Sequence, residues 1–349
     1  MPNPVLVGPV PPPYGGVAIH ILRLREALAM QGIPTTLVRT NGHAVAMVAR
    51  VLTQTVRAPL VHFHTDEGNY KSTILFARWW KLMNVPYILT THSFRSLNAF
   101  EQPRVRRALH SAYASAVARI AISDSTRDAL CANLNVAASS VHVIPSTLPV
   151  SRTERAAPLP SLPSAWQGAP IRILANAGRL VRFNGEDLYG LDLVVDAMRD
   201  IDNPHAHVLL AVADVVDPSL LAPLEAAAAA DQRIHVVRSS WPLAQVARNA
   251  HIVIRPTRTE GGPSLTLAEA AQLGAYTIGS DAVERPATTR LFRSGDAASL
   301  AAALQKTIAD VHAGIPAPIP QDDANIVQQI LEVYERAGLV STLNTPADV

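Results

Sequence analysis

The residues with the clearest chemical meaning lie in one segment of the second half, HIVIRPTRTEGGPSLTLAEAAQLGAYTIGSD. A buried strand is predicted to end at Arg255–Pro256, and a polar loop, Thr257–Gly262, follows it. A helix then begins near Pro263–Ser264, with Ser264 as its N-cap. Glycine amides beside the positive end of a helix suit an anionic phosphate. The candidate residues for this site are Gly261, Gly262, Pro263, Ser264 and Leu265.

Two glutamates flank this predicted phosphate site. Glu260, at the loop tip, could accept hydrogen bonds from a sugar, and Glu269, further along the helix, could hold two ribose hydroxyls with its two oxygens. The alternative is that Glu260 is a solvated loop acid and Glu269 a surface acid. Their placement among apolar and small residues favours the binding role.

Two arginines follow the first predicted strand of the second half, in the loop NAGRLVRFNGEDLYG. The guanidinium groups of Arg179 and Arg182 could together hold a diphosphate, because planar guanidinium groups pair well with phosphate oxygens. The alternative is that they form salt bridges with Glu186 or Asp187.

In the first half, Gly15 and Gly16 immediately precede an amphipathic helix. Paired glycines there could admit an anion to the helix N-terminus, or could simply form a tight turn. The motif GxGxxG is missing, and the second strand, TTLVRT, ends without the acid that binds ribose. An NAD-dependent enzyme is therefore disfavoured.

Three histidines of the first half lie at or near predicted strand ends. His92, in ILTTHSF, could hydrogen-bond a sugar hydroxyl or a phosphate, or could be satisfied by a nearby carbonyl. His62 and His64, in VHFHTDE, alternate as strand residues do and could resemble metal ligands. No third ligand has a suitable spacing, so both are assigned to packing or to the edge of a cleft, and no metal site is predicted.

The elements that must position these residues alternate between short β-branched runs and longer stretches of helical period, which is typical of parallel sheets covered on both faces. We therefore predict the α/β class, with two Rossmann-like parallel-sheet domains facing a cleft. Ligands of such sheets bind beyond the carboxyl ends of the strands. The predicted strands are Val5–Gly8, Thr35–Arg39, Leu60–His64, Tyr87–His92, Arg119–Ser123, Val141–Pro145, Arg172–Ala177, His207–Ala213, Ile234–Arg238, Ile252–Pro256 and Tyr276–Ser280.

The domain organisation follows from where this alternation stops and resumes. An N-terminal domain is predicted over 1–150, and a Pro-, Ala- and Ser-rich linker over 151–170. In the interpretation given below, the N-terminal domain is the one that binds the acceptor. The second domain covers 171–320. A C-terminal helix over 321–340 could pack back on the first domain, and a flexible tail covers 341–349.

Composition limits the class of protein. The 349 residues are 48% hydrophobic and 17% charged, which supports a large core and excludes a wholly disordered chain. The net charge of +2 is too balanced for nucleic-acid binding by charge alone. The single cysteine excludes an internal disulfide. No signal peptide or membrane span is visible, so we expect a cytoplasmic protein that could touch the inner face of the membrane.

Taken together, these segments resemble a GT-B glycosyltransferase of the GT4-type family over nearly the whole chain, to about Gly338. The resemblance includes PYGGVAIHILRLREALAMQGI, THS, AISDSTRDAL, VHVIPS, GRLV and YGLDLVVDAM. Its most specific part is PTRTEGGPSLTLAEAAQLGAYTIGSD, which is similar to the EX7E segment of that family.

The resemblance implies a retaining, metal-independent and cofactor-independent transfer of a hexose-type sugar. The donor would be a nucleotide diphosphate sugar, and the acceptor a polysaccharide, lipopolysaccharide or lipid-linked molecule. His92, Arg179 and Glu260 would be catalytic: His92 would contact the donor sugar, Arg179 would clamp the diphosphate, and Glu260 would hold sugar hydroxyls near the anomeric carbon. Gly16 would lie near the donor phosphate and the acceptor, and Glu269 would hold the ribose.

Two features depart from the family pattern. The expected lysine after the arginine is missing, since Asn184 precedes Gly185, and Arg182 could supply its charge. Eight residues rather than seven separate Glu260 from Glu269. Two other functions therefore stay open: a nucleotide-sugar hydrolase or epimerase of the same fold, and a non-catalytic nucleotide-sugar-binding protein.

The acceptor side carries one basic segment, PRVRRALHSAYASAVAR. Its Arg104, Arg106 and Arg107, with apolar residues behind them, could rest on anionic lipid or near a lipid-linked diphosphate. The alternative is a solvated basic helix face.

Overall fold

The computed structural model describes residues 3–12, 14–94, 98–260, 264–320 and 325–338. Three of the predicted site residues, Gly261, Gly262 and Pro263, and the predicted tail 341–349 lie outside these residues. The chain divides into two compact units. The first unit is Met1–Leu148 with Asp323–Val349, and the second unit is Pro149–Asp322.

The first unit contains a six-stranded parallel sheet with the strand order β2-β1-β3-β4-β5-β6. Its strands are β1 (Val5–Gly8), β2 (Thr36–Arg39), β3 (Val61–Thr65), β4 (Tyr87–Thr91), β5 (Ala118–Ala121) and β6 (His142–Val143). The helices that follow them are α1 (Gly16–Met30), α2 (Ala44–Thr55), α3 (Tyr70–Leu82), α4 (Pro103–Ser115) and α5 (Asp124–Leu134).

The central strands of this sheet are buried because both of their faces are covered by helices. Every residue of β1, β3 and β4 is buried. Alternate residues of β1 enter different cores: Val5 and Val7 pack on one face, and Leu6 packs on the other with Ile21 and Leu24 of α1. Near-continuous apolar strands are the expected sequence signature of such a sheet.

The second unit contains a six-stranded parallel sheet in the order β11-β10-β7-β12-β13-β14, and a small antiparallel pair, β8-β9. Its strands are β7 (Ile171–Ala177), β8 (Arg182–Phe183), β9 (Glu186–Asp187), β10 (Ala206–Val212), β11 (Ile234–Arg238), β12 (Ile252–Arg255), β13 (Tyr276–Ser280) and β14 (Thr289–Phe292). Its helices are α6 (Arg152–Ala156), α7 (Ser164–Gln167), α8 (Leu191–Arg199), α9 (Pro218–Ala230), α10 (Leu243–Ala247), α11 (Leu265–Gln272) and α12 (Ala297–His312). The predicted α/β class with two parallel sheets is confirmed.

The segment predicted as an exposed linker, 151–170, differs from that expectation. It forms α6, which begins with a capping box between Ser151 and Glu154, and α7. Trp166 of α7 is fully buried in the second unit, and its indole nitrogen donates to the Ile173 carbonyl over 2.8 Å. The buried side chain of Trp166 therefore anchors the segment 151–170 to the second unit, although its Pro- and Ala-rich sequence shows no helical or strand period.

The last helix, α13 (Ile326–Arg336), packs within the first unit. Ile326, Ile330 and Tyr334 join the same core as Leu6 and Ile21. The Tyr334 hydroxyl lies 2.7 Å from Nδ1 of His62. Within the described ranges, no helix is both long and apolar enough to span a membrane.

Each sheet has one point at which the strand order reverses direction. In the first unit it lies between β1 and β3, and in the second unit between β7 and β12. Loops that leave the carboxyl ends of two such strands diverge to opposite faces of the sheet, which opens a crevice between them. These two points are where ligands of open α/β sheets bind.

Candidate functional site

In the first unit, the loop after β1 leads into the N-terminus of α1. Gly15 is the N-cap with extended backbone, and Gly16 is the first helical residue; both are exposed. A Cβ at Gly15 would meet nothing within 4 Å, so packing leaves the space beside this helix end open. The first amide N–H groups of a helix have no intrahelical partner, and an anion at this position would accept hydrogen bonds from them.

Three histidines from separate elements meet at the same edge of the first sheet. His64 lies on β3, His92 directly follows β4, and His20 lies on the buried side of α1. Nδ1 of His64 lies 3.1 Å from Nε2 of His92, and Nδ1 of His20 donates to the Ser146 carbonyl over 2.9 Å. The alternative prediction gave the His92 ring a backbone carbonyl as its partner. In the structure its partner is the imidazole of His64.

His62 stacks on His64 but is bonded elsewhere. The two ring centroids lie 4.3 Å apart. Nδ1 of His62 faces the Tyr334 hydroxyl, and Nε2 faces the Thr90 hydroxyl, both at 2.7 Å. His62 is therefore a packed core histidine, as its sequence pattern indicated. His64, in contrast, contacts His20 and His92 at the edge of the sheet.

Burial determines the charge of all four imidazoles. It lowers the pKa of His20 to about 4 and the pKa of His62 to about 3, and it holds the pKa of His64 and of His92 well below the ordinary value. Neighbouring imidazoles add to this effect for His62, His64 and His92, because each would repel a second positive charge. His92 is thus neutral at neutral pH and can form hydrogen bonds without adding charge.

Two residues at this edge escaped the sequence reasoning. His20 gave no signal because nothing in the helical pattern of α1 distinguishes it from a packing residue. Glu67 lies just after β3 and is buried, and Ser93 donates to its Oε2 over 2.6 Å. The run HTDE, which begins at the end of β3, could have indicated Glu67, since a glutamate is almost never fully buried unless it is paired.

In the second unit, Arg179 follows β7 at the reversal point of the sheet. Its side chain is 69% exposed, and its Nε lies 3.5 Å from Asp214 Oδ2. The predicted alternative partners, Glu186 and Asp187, are not the ones that it contacts. An exposed pair at this distance is weak, so the guanidinium group is available to an anion.

Arg182 is held more tightly within its own loop. Its three side-chain nitrogens donate to Asp217 over 2.8 Å, to the Gly185 carbonyl over 2.6 Å and to Ser219 over 2.9 Å. A phosphate would have to compete with these three partners. Of the two predicted diphosphate arginines, Arg179 is therefore the one better placed to receive a ligand.

Glu260 follows β12 and is held by two buried arginines. Arg255 donates twice to Oε1, over 3.0 and 2.6 Å, and Arg285 donates to Oε2 over 2.5 Å. The Thr257 hydroxyl donates to Oε2 over 3.2 Å. Burial alone would raise the pKa of Glu260, but the charges of Arg255 and Arg285 outweigh it and hold that pKa below its ordinary value. With four donors on two oxygens, a sugar hydroxyl would have to displace one of them.

The loops after β7 and β12 are joined directly. Arg258 donates to the Asp187 carbonyl over 2.5 Å and to both oxygens of Asp192 over 3.0 and 2.8 Å. Asp187 in turn accepts from the amides of Tyr189 and Leu191, where α8 begins. This network fixes the spacing between the loop that carries Arg179 and the loop that carries Glu260.

The start of α11 completes the edge. Ser264 is its N-cap, as predicted, but the hydroxyl makes no capping bond; Oγ is buried and has no hydrogen-bond partner among the described residues. Leu265 is the first helical residue, and Glu269 lies one turn further on, 5% exposed. The alternative of a surface acid is therefore wrong for Glu269.

Comparisons with known proteins agree for the two halves of the chain. The sequence model of the family described as Glycosyltransferase Family 4 matches residues 39–152. The model described as Glycosyl transferases group 1 matches residues 171–310. No curated relative matches the chain at a significant level.

Several solved structures share the fold. HepE of Anabaena, in complex with UDP and glucose, is 16% identical with a TM-score of 0.70, over 95% of this chain and 99% of that chain. A glycosyltransferase from Rickettsia africae is 12% identical with a TM-score of 0.68, over 96% and 98%. UDP-GlcNAc 2-epimerase from Neisseria meningitidis, bound to UDP-GlcNAc, is 12% identical with a TM-score of 0.59, over 96% and 100%. At these identities the likeness concerns the fold.

Proposed function

The chain belongs to the GT-B glycosyltransferases of the GT4 type, and on that premise we propose that it transfers a hexose-type sugar from a nucleotide diphosphate sugar. The acceptor in this proposal is a polysaccharide, a lipopolysaccharide or a lipid-linked molecule. The anomeric configuration is retained, and neither a metal nor another cofactor takes part. UDP is the first nucleotide to test, because HepE of Anabaena and UDP-GlcNAc 2-epimerase from Neisseria meningitidis were determined with UDP or a UDP-sugar.

One observation carries this proposal: two anion-binding features leave neighbouring strands at the reversal point of the second sheet. The exposed guanidinium group of Arg179 follows β7, and the N-terminus of α11 follows β12, with the Ser264 hydroxyl that has no hydrogen-bond partner among the described residues. Positive charge and free donors at this point favour a diphosphate. Glu269, on α11, is proposed to hold the ribose.

The chemistry follows from what these groups do as the bond to the sugar breaks. Negative charge then develops on the leaving diphosphate, and Arg179 with the amides at the start of α11 stabilises it in place of a metal ion. His92, neutral and buried, is proposed to hydrogen-bond a sugar hydroxyl. Glu260 is proposed to position the sugar hydroxyls in one of two ways. It fixes the conformation of its loop through Arg255 and Arg285, or it accepts a hydrogen bond from a sugar hydroxyl that displaces one of its present donors.

The experiment measures donor turnover with and without candidate acceptors, after a thermal-shift screen of UDP-, GDP- and ADP-sugars identifies the donor. A transferase releases the nucleotide much faster when its acceptor is present, and the sugar appears in the acceptor product. Donor binding without turnover under any acceptor would instead favour a non-catalytic nucleotide-sugar-binding protein.

A second candidate function is a nucleotide-sugar hydrolase or epimerase. The observation that favours it is the fold shared with UDP-GlcNAc 2-epimerases over nearly the full length of both chains. The same assay separates the two functions, since an epimerase consumes the donor without any acceptor and yields a changed sugar rather than a glycosylated product.

A peripheral contact with the inner face of the membrane is also part of the proposal. Arg104, Arg106 and Arg107 are all exposed on α4, which buries Leu109, Ala112 and Tyr113. Three neighbouring arginines attract anionic lipid. Sedimentation with vesicles of anionic and of neutral lipid tests this contact; a triple alanine variant that still sediments with anionic vesicles would identify α4 as a solvated face.

A further inference from the structure

The three histidines at the edge of the first sheet, His20, His64 and His92, form a compact group that we call the histidine cluster. One ring nitrogen from each lies within 4.8 Å of one from each of the others. All three side chains are buried. The spacing along the chain conceals this group, because its members come from α1, β3 and the end of β4.

The spacing of the three rings is close to that of three ligands of one ion. Their centroids lie 5.2 Å apart for His20 and His64, 5.0 Å for His20 and His92, and 5.4 Å for His64 and His92. Three imidazoles that bind one tetrahedral ion through nitrogens at ~2.0–2.1 Å have ring centroids about 5 Å apart. Two such nitrogens lie about 3.3 Å apart, close to the 3.1 Å between Nδ1 of His64 and Nε2 of His92.

The groups around the cluster also suit a metal. A carbonyl oxygen can only accept, so Nδ1 of His20 carries the proton in its bond to Ser146, and Nε2 keeps its lone pair. A carbonyl that orients a histidine in this way is a usual second partner of metal-ligating imidazole. Nε2 of His64 is buried and has no hydrogen-bond partner within the described part of the chain. When Nδ1 of His64 binds the ion, this second nitrogen carries the ring proton.

We propose that His20, His64 and His92 bind a divalent transition-metal ion such as Zn²⁺, with a fourth position left to water or another small ligand. His62 is excluded from this site, because Tyr334 and Thr90 occupy both of its ring nitrogens. The proposal concerns binding and does not depend on sugar transfer. Where His92 also contacts a sugar, bound metal competes for that side chain, and Zn²⁺ inhibits the reaction.

The test uses the full chain, freed of metal by a chelator and then titrated with Co²⁺ and Zn²⁺. Tetrahedral coordination by nitrogen gives Co²⁺ a strong visible absorption that octahedral aqueous Co²⁺ lacks. We expect this spectrum, its displacement by Zn²⁺, and one Zn²⁺ per chain in equilibrium dialysis. Zn²⁺ should also raise the melting temperature, because it binds the folded state.

Matched variants locate the ion. His20→Gln, His64→Gln and His92→Gln should each lower Zn²⁺ affinity at least about 10-fold. The control is His207→Gln, which changes a histidine pair of the second unit with a similar 3.0 Å contact between Nδ1 of His207 and Nε2 of His235. That control should bind Zn²⁺ as the wild type does.

Two results would overturn the proposal: an octahedral Co²⁺ spectrum in the wild type, or Zn²⁺ affinity that is unchanged in all three cluster variants. If a cluster variant does not fold, the wild-type spectrum and stoichiometry decide the question alone. Sugar transfer is measured in a separate assay, so failure of the metal site leaves the proposed function standing, and the reverse also holds.

Discussion

Arg285 donates to the carboxylate of Glu260 over 2.5 Å, although only 1% of the Arg285 side chain is exposed. Arg255 holds the other oxygen of the same carboxylate. Among the described residues, Glu260 is thus the acid that pairs with both cations, in a largely buried setting. Removing its charge leaves both guanidinium groups without an anionic partner among the described residues.

Glu260→Gln is therefore predicted to destabilise the second unit by about 3–5 kcal/mol, the usual consequence of breaking a buried ion pair. Denaturant unfolding measures this loss. The control is Glu225→Gln on the exposed face of α9, which should change stability by less than about 0.5 kcal/mol.

The pH dependence of that difference has a defined sign. Because the folded-state pKa of Glu260 lies below its ordinary value of 4.5, its stabilising effect is complete above that value and is lost as the pH falls through the folded-state pKa. The gap between wild type and Glu260→Gln should shrink under acid. A gap that stays constant from neutral pH into strong acid would contradict the ion-pair role.

Two glycines of the second unit with left-handed backbone, Gly190 and Gly274, are predicted to differ in how well they tolerate alanine. Gly190 should tolerate it less. Its φ is +69°, and a Cβ there would lie 2.2 Å from the Pro256 carbonyl oxygen. Gly274 has a φ of +84° but open space around it. Gly274→Ala should cost about 1–2 kcal/mol from backbone strain alone, and Gly190→Ala should cost clearly more.

Unfolding experiments on the two alanine variants test this contrast. The close approach at Gly190 holds the start of α8 against the loop after β12, so Gly190→Ala should also weaken UDP binding. Equal stabilities of the two variants would show that the contact with Pro256 does not constrain the site.

Tyr334→Phe is predicted to destabilise the first unit by about 1–3 kcal/mol, because a buried ring nitrogen of His62 loses its partner. Thermal unfolding is a suitable measurement. Tyr70→Phe serves as the control, since the Tyr70 hydroxyl forms no hydrogen bond with other described residues. Equal melting temperatures for both variants would mean that α13 docks through apolar contacts alone.

Glu269→Gln keeps the shape of a buried side chain and removes its charge. If Glu269 holds the ribose, UDP affinity should fall about 10-fold or more, as expected for hydrogen bonds to a charged group. Calorimetric titration with UDP gives the affinity, and circular dichroism confirms folding. Wild-type affinity in a folded Glu269→Gln protein would remove Glu269 from the ribose site.

Much of the fold follows from the sequence because parallel strands buried on both faces are largely apolar. The predicted strand Tyr276–Ser280 matches β13, and Ile252–Pro256 differs from β12 by one residue. The C-terminal helix predicted over 321–340 is α13, with the closer bounds Ile326–Arg336. Elements without that pattern were missed: the two-residue strands β8 and β9, and the half-exposed edge strand β14.

The candidate site was less accessible to sequence reasoning, because side-chain partners are set by tertiary contacts. The loops that carry Arg179, Glu260 and Ser264 could be placed at strand ends. The partner of Arg179, however, is Asp214, which lies after a different strand, and one of the two arginine partners of Glu260 is Arg285, 25 residues away. Likewise, only the fold brings His20 beside His64.

The central claim is that Arg179 binds the diphosphate of the donor, and one calorimetric comparison tests it most directly. UDP and uridine are each titrated into wild type and into Arg179→Ala, with Arg199→Ala, an equally exposed arginine in the last turn of α8, as the control. Wild type and control should prefer UDP over uridine strongly, and Arg179→Ala should lose most of that preference while uridine binds as before. An unchanged preference for UDP in the folded Arg179→Ala protein would contradict the claim.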